Sequence, residues 1–158
     1  MKELLLEEFS KQANIYFYTS YLYYAMGTYF DEIMMEGFSK YLKHKASENL
    51  SCAQEIHDYL ILRDEKLTFL KIDEPITDWL DVTDVFCSIL SHEEMVLEKV
   101  EMLYKTAKHE DDIGAEEFVA KMLEKQAKNA SVSRKIVFRI KNSNLIDANV
   151  EHLDMMMR

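Results

Sequence analysis

The sequence contains very few of the residues that interrupt helices or build turns. Among its 158 residues are three glycines and one proline, Pro75. Glycine and proline are the residues least compatible with a helix interior, so their scarcity favours long helices and argues against a turn-rich β fold. A chain of this length fits one domain with a substantial core, and we expect a single domain over residues 1–158.

Cysteine, positive charge and long apolar runs are also scarce. The two cysteines, Cys52 and Cys87, suit free thiols in a reducing cytoplasm better than a disulfide framework. A balance of 19 basic against 29 acidic residues gives a net charge of −10, which argues against a nucleic-acid partner. No apolar run approaches membrane-spanning length, and the acidic N-terminal segment does not suit a signal peptide. We therefore expect a cytoplasmic protein that binds neither nucleic acid nor membranes.

Apolar residues make up 48% of the chain and recur with helical periods. In the first helix the aromatic residues Phe9, Tyr16, Tyr23 and Phe30 are spaced by seven, which is typical of a bundle seam. The periodic segments predict four long helices and a short fifth, over about residues 2–30, 37–62, 82–108, 113–141 and 145–157.

The predicted helix order indicates one topology. Two hairpins of helices are joined by residues 63–81, a segment with no sustained helical period and long enough to cross the length of a bundle. This order predicts an all-α, up-down-down-up four-helix bundle with a long crossover and a short C-terminal fifth helix.

Polar side chains interrupt the apolar seam of each long helix near its midpoint. Midpoints of antiparallel neighbours lie at the same height, so we expect these side chains to meet in one buried layer. A single buried polar residue usually fixes the register of a bundle, whereas six at one level are harder to explain in that way. Bundle proteins often build metal sites from such side chains, so a metal site, a former metal site and a packing detail are the three interpretations. The six residues are Tyr16, Asn49, Cys52, Glu93, Gln126 and Asn129.

Several segments resemble the non-haem bacterial ferritins, and the similarity can be followed from residue 4 to about residue 141. The matching segments are residues 11–23, 36–38, 72–79, 91–94 and 123–126. The resemblance implies a ferritin-like bundle, assembly into a hollow 24-subunit cage, and iron as the cargo. It does not imply haem, because Leu50 stands where related proteins carry a haem-binding methionine.

The resemblance also allows the family's ferroxidase ligands to be matched by position. The glutamate of the first helix falls on Tyr16, and the Glu-x-x-His pair of the second helix falls on Asn49 and Cys52. A further glutamate of the fourth helix falls on Asn129, and Lys125 stands where another acidic ligand would be. Because these replacements are poor iron ligands, we expect little or no ferroxidase activity, no catalytic residue and no haem, with iron bound weakly or not at all at this centre. A site for a single metal ion at Glu93 with Cys52 or Gln126 is a further alternative.

Four residues remain as candidates for a remnant di-iron site. They are Glu93, Gln126, Glu48 and Cys52. One buried carboxylate with amides and a thiol is a weak ligand set for two iron ions, whose charge is costly to bury uncompensated. A layer of Glu93, Tyr16, Tyr23, Asn49 and Gln126 that satisfies its own hydrogen bonds is the competing interpretation.

Two further groups of residues are weaker candidates. Acidic residues at the start of the fourth helix fit either a cation-attracting channel or a solvated helix N-terminus; they are Glu110, Asp111, Asp112, Glu116 and Glu117. Four histidines have no partner at metal-ligand spacing and are interpreted as surface or packing residues; they are His57, His92, His109 and His152.

Three hypotheses on function follow, of which the third is an active enzyme with a redesigned centre. The first is a ferritin-like iron-storage or cage protein that lacks most ferroxidase ligands and acts by slow mineralisation or by co-assembly with an active subunit. The alternative is a structural or interaction protein that retains the bundle and has no iron chemistry.

Overall fold

The chain folds into five helices in a computed structural model that describes residues 1–142 and 147–158. The helices are α1 (Glu3–Glu32), α2 (Glu36–Leu62), α3 (Val82–His109), α4 (Ile113–Asn142) and α5 (Asp147–Met156). These described ranges contain no strand, and the predicted all-α class and bundle are confirmed. Residues 145–146, the predicted start of the fifth helix, lie outside the described residues. No helix in the described ranges is long and apolar enough to cross a membrane.

The four long helices pack as two antiparallel hairpins, α1 with α2 and α3 with α4, and α1 also contacts α3. A short turn joins the two helices of each hairpin. At the starts of α3 and α4, an aspartate side chain caps the helix. The Asp81 carboxylate accepts the backbone N–H of Asp84 at 2.8 Å at the start of α3, and Asp112 accepts that of Ala115 at 3.0 Å in α4. Each contact satisfies a backbone donor that the helix itself leaves unpaired.

The apolar core forms two clusters that lie toward opposite ends of the bundle. In one cluster the rings of Phe30, Phe38 and Phe86 lie 5.0–5.8 Å apart, and in the other Tyr59 stacks on Phe118 at 4.2 Å. The four aromatic residues of the α1 seam are all buried. Tyr16 belongs to one cluster and Tyr23 to the other, so the predicted polar layer lies where the two clusters meet.

The crossover of residues 63–81 is fixed to α1 by side chains rather than by regular structure. The Asn14 amide donates to the carbonyl of Thr68 at 2.8 Å and accepts the N–H of Leu70 at 2.9 Å. The hydroxyl of Ser10 accepts the N–H of Thr68 at 3.1 Å. These polar side chains of α1 therefore satisfy backbone N–H and C=O groups of the crossover, which has no regular secondary structure to pair them.

Helix α5 packs against the start of α2 through one buried carboxylate. Asp154 Oδ1 accepts the backbone N–H of Phe38 at 2.7 Å, and the Asp154 side chain is almost fully buried. The approach requires glycine at position 37, because a Cβ there would lie 1.7 Å from the carbonyl oxygen of Asp154. Helix α5 thus supplies the acceptor for a backbone N–H group in the first turn of α2.

Candidate metal centre

The centre of the polar layer is the carboxylate of Glu93 on α3, which is only 3% exposed. The hydroxyl of Tyr23 donates to Oε1 at 2.6 Å, and the Gln126 amide donates to Oε2 at 2.6 Å. Gln126 also donates to the backbone carbonyl of Glu93 at 3.0 Å. Helices α1, α3 and α4 are therefore joined by one hydrogen-bonded group in which both carboxylate oxygens have a donor.

Tyr23 acts as a donor because its phenol stays protonated. Complete burial raises the pKa of Tyr23 well above its usual value, and the negative charge of Glu93 raises it further. Tyr41 on α2 shows the same effect less strongly, since burial and then Glu93 and Glu48 raise its pKa to about 12. Tyr41 was not among the residues predicted for this layer, because its position on α2 did not interrupt the apolar pattern.

Tyr16 lies beside Glu93 but does not join its hydrogen-bonded group. Burial raises the pKa of the Tyr16 phenol, and Cys52 contributes next. The Gln12 side chain, one helical turn earlier, is 2% exposed, and its Nε2 atom has no hydrogen-bond partner among the described residues. The sequence did signal Gln12, as a polar residue between Phe9 and Tyr16 in the seam, but our prediction omitted it.

Asn49 is directed to its own helix rather than into the layer. Its amide donates to the carbonyl of Lys45 at 2.8 Å, and the side chain is only half-buried. The prediction that Asn49 and Tyr16 share hydrogen bonds with Glu93, Tyr23 and Gln126 was therefore wrong for these two residues. A short amide in a helix readily bonds the carbonyl four residues earlier, and the sequence alone does not reveal that choice.

A lysine from α2 occupies the side of the layer that faces α4. The ammonium of Lys45, 16% exposed, donates to Asn129 Oδ1 at 3.3 Å and to Glu48 Oε2 at 3.1 Å. The other carboxylate oxygen of Glu48 lies 3.1 Å from His44 Nε2. Glu48 therefore pairs with neighbours on its own helix, while Lys45 links α2 to α4.

Cys52 lines a pocket of about 150 Å³ between α2 and α4, together with Tyr16 and Lys125. Burial raises the pKa of the Cys52 thiol, although the Lys125 ammonium opposes the shift. The Lys125 ammonium also lies 3.8 Å from Glu55. Because the thiolate is the form that binds metals, a protonated Cys52 is a poor ligand at neutral pH.

The four predicted metal residues therefore fall into three separate environments. Glu93 and Gln126 bond each other, Glu48 pairs with Lys45 and His44, and Cys52 faces Lys125. Among the described residues, no group of three or more histidine, cysteine, aspartate or glutamate side chains is arranged to hold a metal ion.

Three of the weaker candidates contact other parts of the protein. Glu110 pairs with Lys2 at 2.7 Å, and Asp112 forms a bidentate pair with Arg63 at 2.8 and 3.1 Å, so two of the five acidic residues are not free to attract cations. His92 lies against the rings of Tyr18 and Tyr23, and burial lowers its pKa to about 4.

The chain is similar to known proteins over nearly its whole length. The model of the Ferritin family, described as a ferritin-like domain, matches residues 6–142. The bacterial non-heme ferritin of Bacteroides fragilis is 27% identical over 154 residues, 98% of this chain and 96% of that protein. That of Staphylococcus haemolyticus is 28% identical over 127 residues, 80% of this chain and 76% of that protein.

Solved structures show the same fold. An open pore ferritin from the archaeon Archaeoglobus fulgidus superimposes with a TM-score of 0.97 at 24% identity and covers 99% of this chain and 97% of its own. An engineered closed form of the Archaeoglobus ferritin gives a TM-score of 0.96 at 25% identity, over 99% and 96% of the two chains.

Proposed function

The chain belongs to the ferritin-like domain family, and from that premise we propose that it is an iron-storage cage protein with a degenerate ferroxidase centre. It takes up iron by slow mineralisation, or it co-assembles with a subunit that has the full ligand set. In either case iron is the cargo, and no haem or other resident cofactor is involved.

The observation that carries this proposal is the charge of the polar layer. Its buried carboxylate is that of Glu93, and both oxygens already accept hydrogen bonds from the protein. Lys45 places an ammonium between α2 and α4, and Lys125 places another beside Cys52. Two iron ions bring several positive charges, which are costly to bury beside protein cations without compensating carboxylates.

The chemistry of the remaining donors points the same way. Hard iron ions prefer carboxylate and imidazole ligands, whereas this layer offers a protonated thiol, protonated phenols and amides. The ligand set therefore does not suit a di-iron centre, and we assign no oxidation step to these residues.

Assembly and location form the remainder of the proposal. We infer a homo-oligomeric cage, of 24 subunits by resemblance to the family, which admits an active ferritin subunit as a partner. The free thiols of Cys52 and Cys87 support the reducing cytoplasm as its location.

Aerobic addition of ferrous iron to the purified protein tests the proposal. Oxidation is followed by absorbance, and iron retained per assembly is counted after gel filtration, for the protein alone and mixed with a ferritin subunit that has all ligands. We expect oxidation close to the protein-free rate by the chain alone, and iron retention that rises in the mixture.

A variant with restored ligands is the matched comparison. It combines Tyr16→Glu, Asn49→Glu, Cys52→His and Asn129→Glu, and it should oxidise iron faster than the natural chain. Rapid stoichiometric oxidation by the natural chain would contradict the degenerate centre. If no iron is retained, alone or in the mixture, the chain is a structural cage protein without iron chemistry.

A further inference from the structure

A pocket of about 150 Å³ lies beside the polar layer, between α2 and α4. Close backbone packing joins α1 to α2 and α3 to α4, whereas no comparably close packing joins α2 to α4 among the described residues. The gap between these two helices is therefore wider, and side chains fill it only in part. We call this space the α2–α4 pocket; Tyr16 and Cys52 line it from α1 and α2, and Phe118, Lys121 and Lys125 line it from α4.

Most polar groups that line the α2–α4 pocket are hydrogen-bond donors. Burial raises the pKa of the Tyr16 phenol, so this hydroxyl stays protonated, and burial also raises the pKa of the Cys52 thiol. Lys121 and Lys125 contribute ammonium groups, which have donors and no acceptor. Among the described residues that line the pocket, the acidic one is Glu55, whose side chain is 58% exposed.

The positive charge of the two lysines is only partly compensated. Lys121 has no ion pair with any residue in the described ranges. Lys125 approaches Glu55 at 3.8 Å, close to the upper limit for an ion pair, and water screens a pair that is this exposed. Lys125 also lies beside the Cys52 thiol, which is neutral when protonated. The residues that line the pocket therefore carry a net positive charge, although the whole chain carries −10.

A buried donor next to Tyr16 has no acceptor. Gln12 lies one helical turn earlier on α1, is 2% exposed, and adjoins the Tyr16 phenol. Its Nε2 atom has no hydrogen-bond partner among the described residues. Buried donors are almost always satisfied, so the inner end of the pocket is a place where an additional acceptor would be stabilised. This observation is independent of the lysines and points to a ligand with acceptor oxygens.

The remaining wall of the α2–α4 pocket is apolar. It consists of the Phe118 ring and the side chain of Met122, which is 9% exposed. An organic anion would bury its apolar part against this wall, whereas an inorganic anion has no apolar part to bury. Pockets for drug-sized ligands hold about 300–1,000 Å³, so a pocket of about 150 Å³ suits a much smaller molecule.

We propose that the α2–α4 pocket binds a small organic carboxylate. The carboxylate oxygens accept hydrogen bonds from the two lysines and from the Tyr16 hydroxyl, and the short apolar part lies against Phe118 and Met122. Such charge-assisted hydrogen bonds are roughly twice as strong as neutral ones. Tyr16, Cys52 and Lys125 stand where the resemblance places iron ligands, so the substitutions that remove a metal site also create an anion site. The inference goes beyond the proposed function and does not depend on iron storage.

Isothermal titration calorimetry of the iron-free, full-length protein with butyrate tests the proposal. We expect butyrate to bind with a dissociation constant in the millimolar range or below, and its neutral analogue butyramide to bind at least about ten-fold more weakly. Lys125→Gln should weaken butyrate binding by a similar factor, because it removes the charge at the pocket. The matched control is Lys128→Gln, which makes the same change in net charge at an exposed position of α4 outside the pocket.

The Tyr16 hydroxyl is tested separately from the charge. Tyr16→Phe keeps the aromatic ring and removes the donor, so it should also weaken butyrate binding. Tyr21→Phe, at a position of α1 that is 54% exposed, is the control and should bind butyrate like the natural chain. Far-ultraviolet circular dichroism verifies that each variant is folded.

The two cysteines of the chain report where the ligand binds. Cys52 and Cys87 are both partly exposed free thiols, but Cys52 lines the α2–α4 pocket and Cys87 packs in the apolar cluster of Phe86. Bound butyrate should therefore slow the alkylation of Cys52 by iodoacetamide and leave that of Cys87 unchanged. Mass spectrometry of the two cysteine-containing peptides measures both rates in one sample of the natural chain.

Several results would overturn the proposal. They are butyrate that binds no better than butyramide, a Lys125→Gln protein that binds butyrate like the natural chain, and alkylation of Cys52 that butyrate does not slow. Inorganic phosphate is the probe for the other kind of anion. If phosphate protects Cys52 and butyrate does not, the pocket is a site for an inorganic oxyanion and the proposal is wrong. Because the protein is free of iron throughout, these results leave the proposed storage of iron untouched.

Discussion

The ammonium of Lys45 on α2 lies 3.3 Å from the side-chain oxygen of Asn129 on α4. The resemblance to ferritins matches Asn129 to a glutamate that would face a metal ion. In this chain the neighbouring cation belongs to the protein itself, and the partner is a neutral amide. The pair therefore opposes metal binding in the layer.

Replacing Lys45 by methionine should increase the affinity of the layer for divalent cations. The substitution keeps much of the side-chain volume but removes one positive charge and frees the Glu48 carboxylate. We expect cobalt(II) to bind at least about ten-fold more tightly, as measured by isothermal titration calorimetry. Lys40→Met, on an exposed position of the same helix, is the control. Equal cobalt affinity in both variants and the natural chain would show that Lys45 does not oppose metal.

Glu93→Gln should destabilise the bundle although the side chain keeps its shape. A glutamine presents an N–H group to one of two donors, the Tyr23 hydroxyl or the Gln126 amide, and leaves that buried donor unpaired. The cost of such a group is about 1–3 kcal/mol in the free energy of unfolding, measured by denaturant titration. Glu94→Gln, on the exposed neighbour, should change it by much less. A Glu93→Gln protein as stable as the natural chain would contradict the role of this carboxylate as the acceptor of both hydrogen bonds.

The seam of α1 shows why the fold could be predicted from the sequence. Its aromatic residues recur every seven positions, and residues at this spacing lie on one face of a helix. The burial of all four aromatic residues of the seam could therefore be predicted. The presence of Glu93 and Gln126 in one layer followed in the same way, because helix midpoints of antiparallel neighbours lie at one height.

The details of the layer could not be predicted from spacing. Asn49 lies at the expected height, but its rotamer sends the amide back to Lys45, and spacing carries no information on rotamers. Lys45 interrupts the apolar stripe of α2, yet only its long flexible side chain brings the charge across to Asn129. The helical period therefore predicts which backbone positions face the layer, but the hydrogen bonds and charges there depend on side-chain conformations that it does not predict.

The largely buried His92 of α3 should make the stability depend on pH in the acidic range. Thr19 donates its one hydroxyl proton to Ile15, so the 2.7 Å contact with His92 requires that Nε2 carries hydrogen and donates to Thr19. Burial lowers the pKa of His92 to about 4 from its ordinary value of 6.5. The unfolded chain therefore gains a proton below pH 6.5 that the folded chain does not gain until about pH 4, and stability falls as the pH falls through this window.

The expected loss is roughly 2 kcal/mol between pH 7 and pH 5 from His92 alone. Denaturant titrations at the two pH values measure it, and His92→Asn, which cannot titrate, should reduce the difference by that amount. His57→Asn, at an exposed position, is the control and should leave the difference unchanged. An identical pH dependence in His92→Asn and the natural chain would contradict the lowered pKa.

Gly37→Ala should separate α5 from the bundle. The added methyl group would lie 1.7 Å from the backbone oxygen of Asp154, and backbone atoms have no alternative rotamer to adopt. The N–H of Phe38 would then lose its buried partner. Limited proteolysis followed by mass spectrometry should detect faster cleavage near the C-terminus. Gly114→Ala, where the nearest atom would be 3.5 Å away, should be cleaved like the natural chain. Equal cleavage of both variants would exclude the steric role of Gly37.

Asn14 and Ser10 have a consequence for the order in which this chain gains its structure. By holding the backbone of Thr68 and Leu70, they make the first part of the crossover an extension of α1. We expect these contacts with α1 to account for part of the conformational entropy that the long connection loses on folding. We therefore expect this connection to need less further ordering when α3 packs against α1 than a free loop of the same length would.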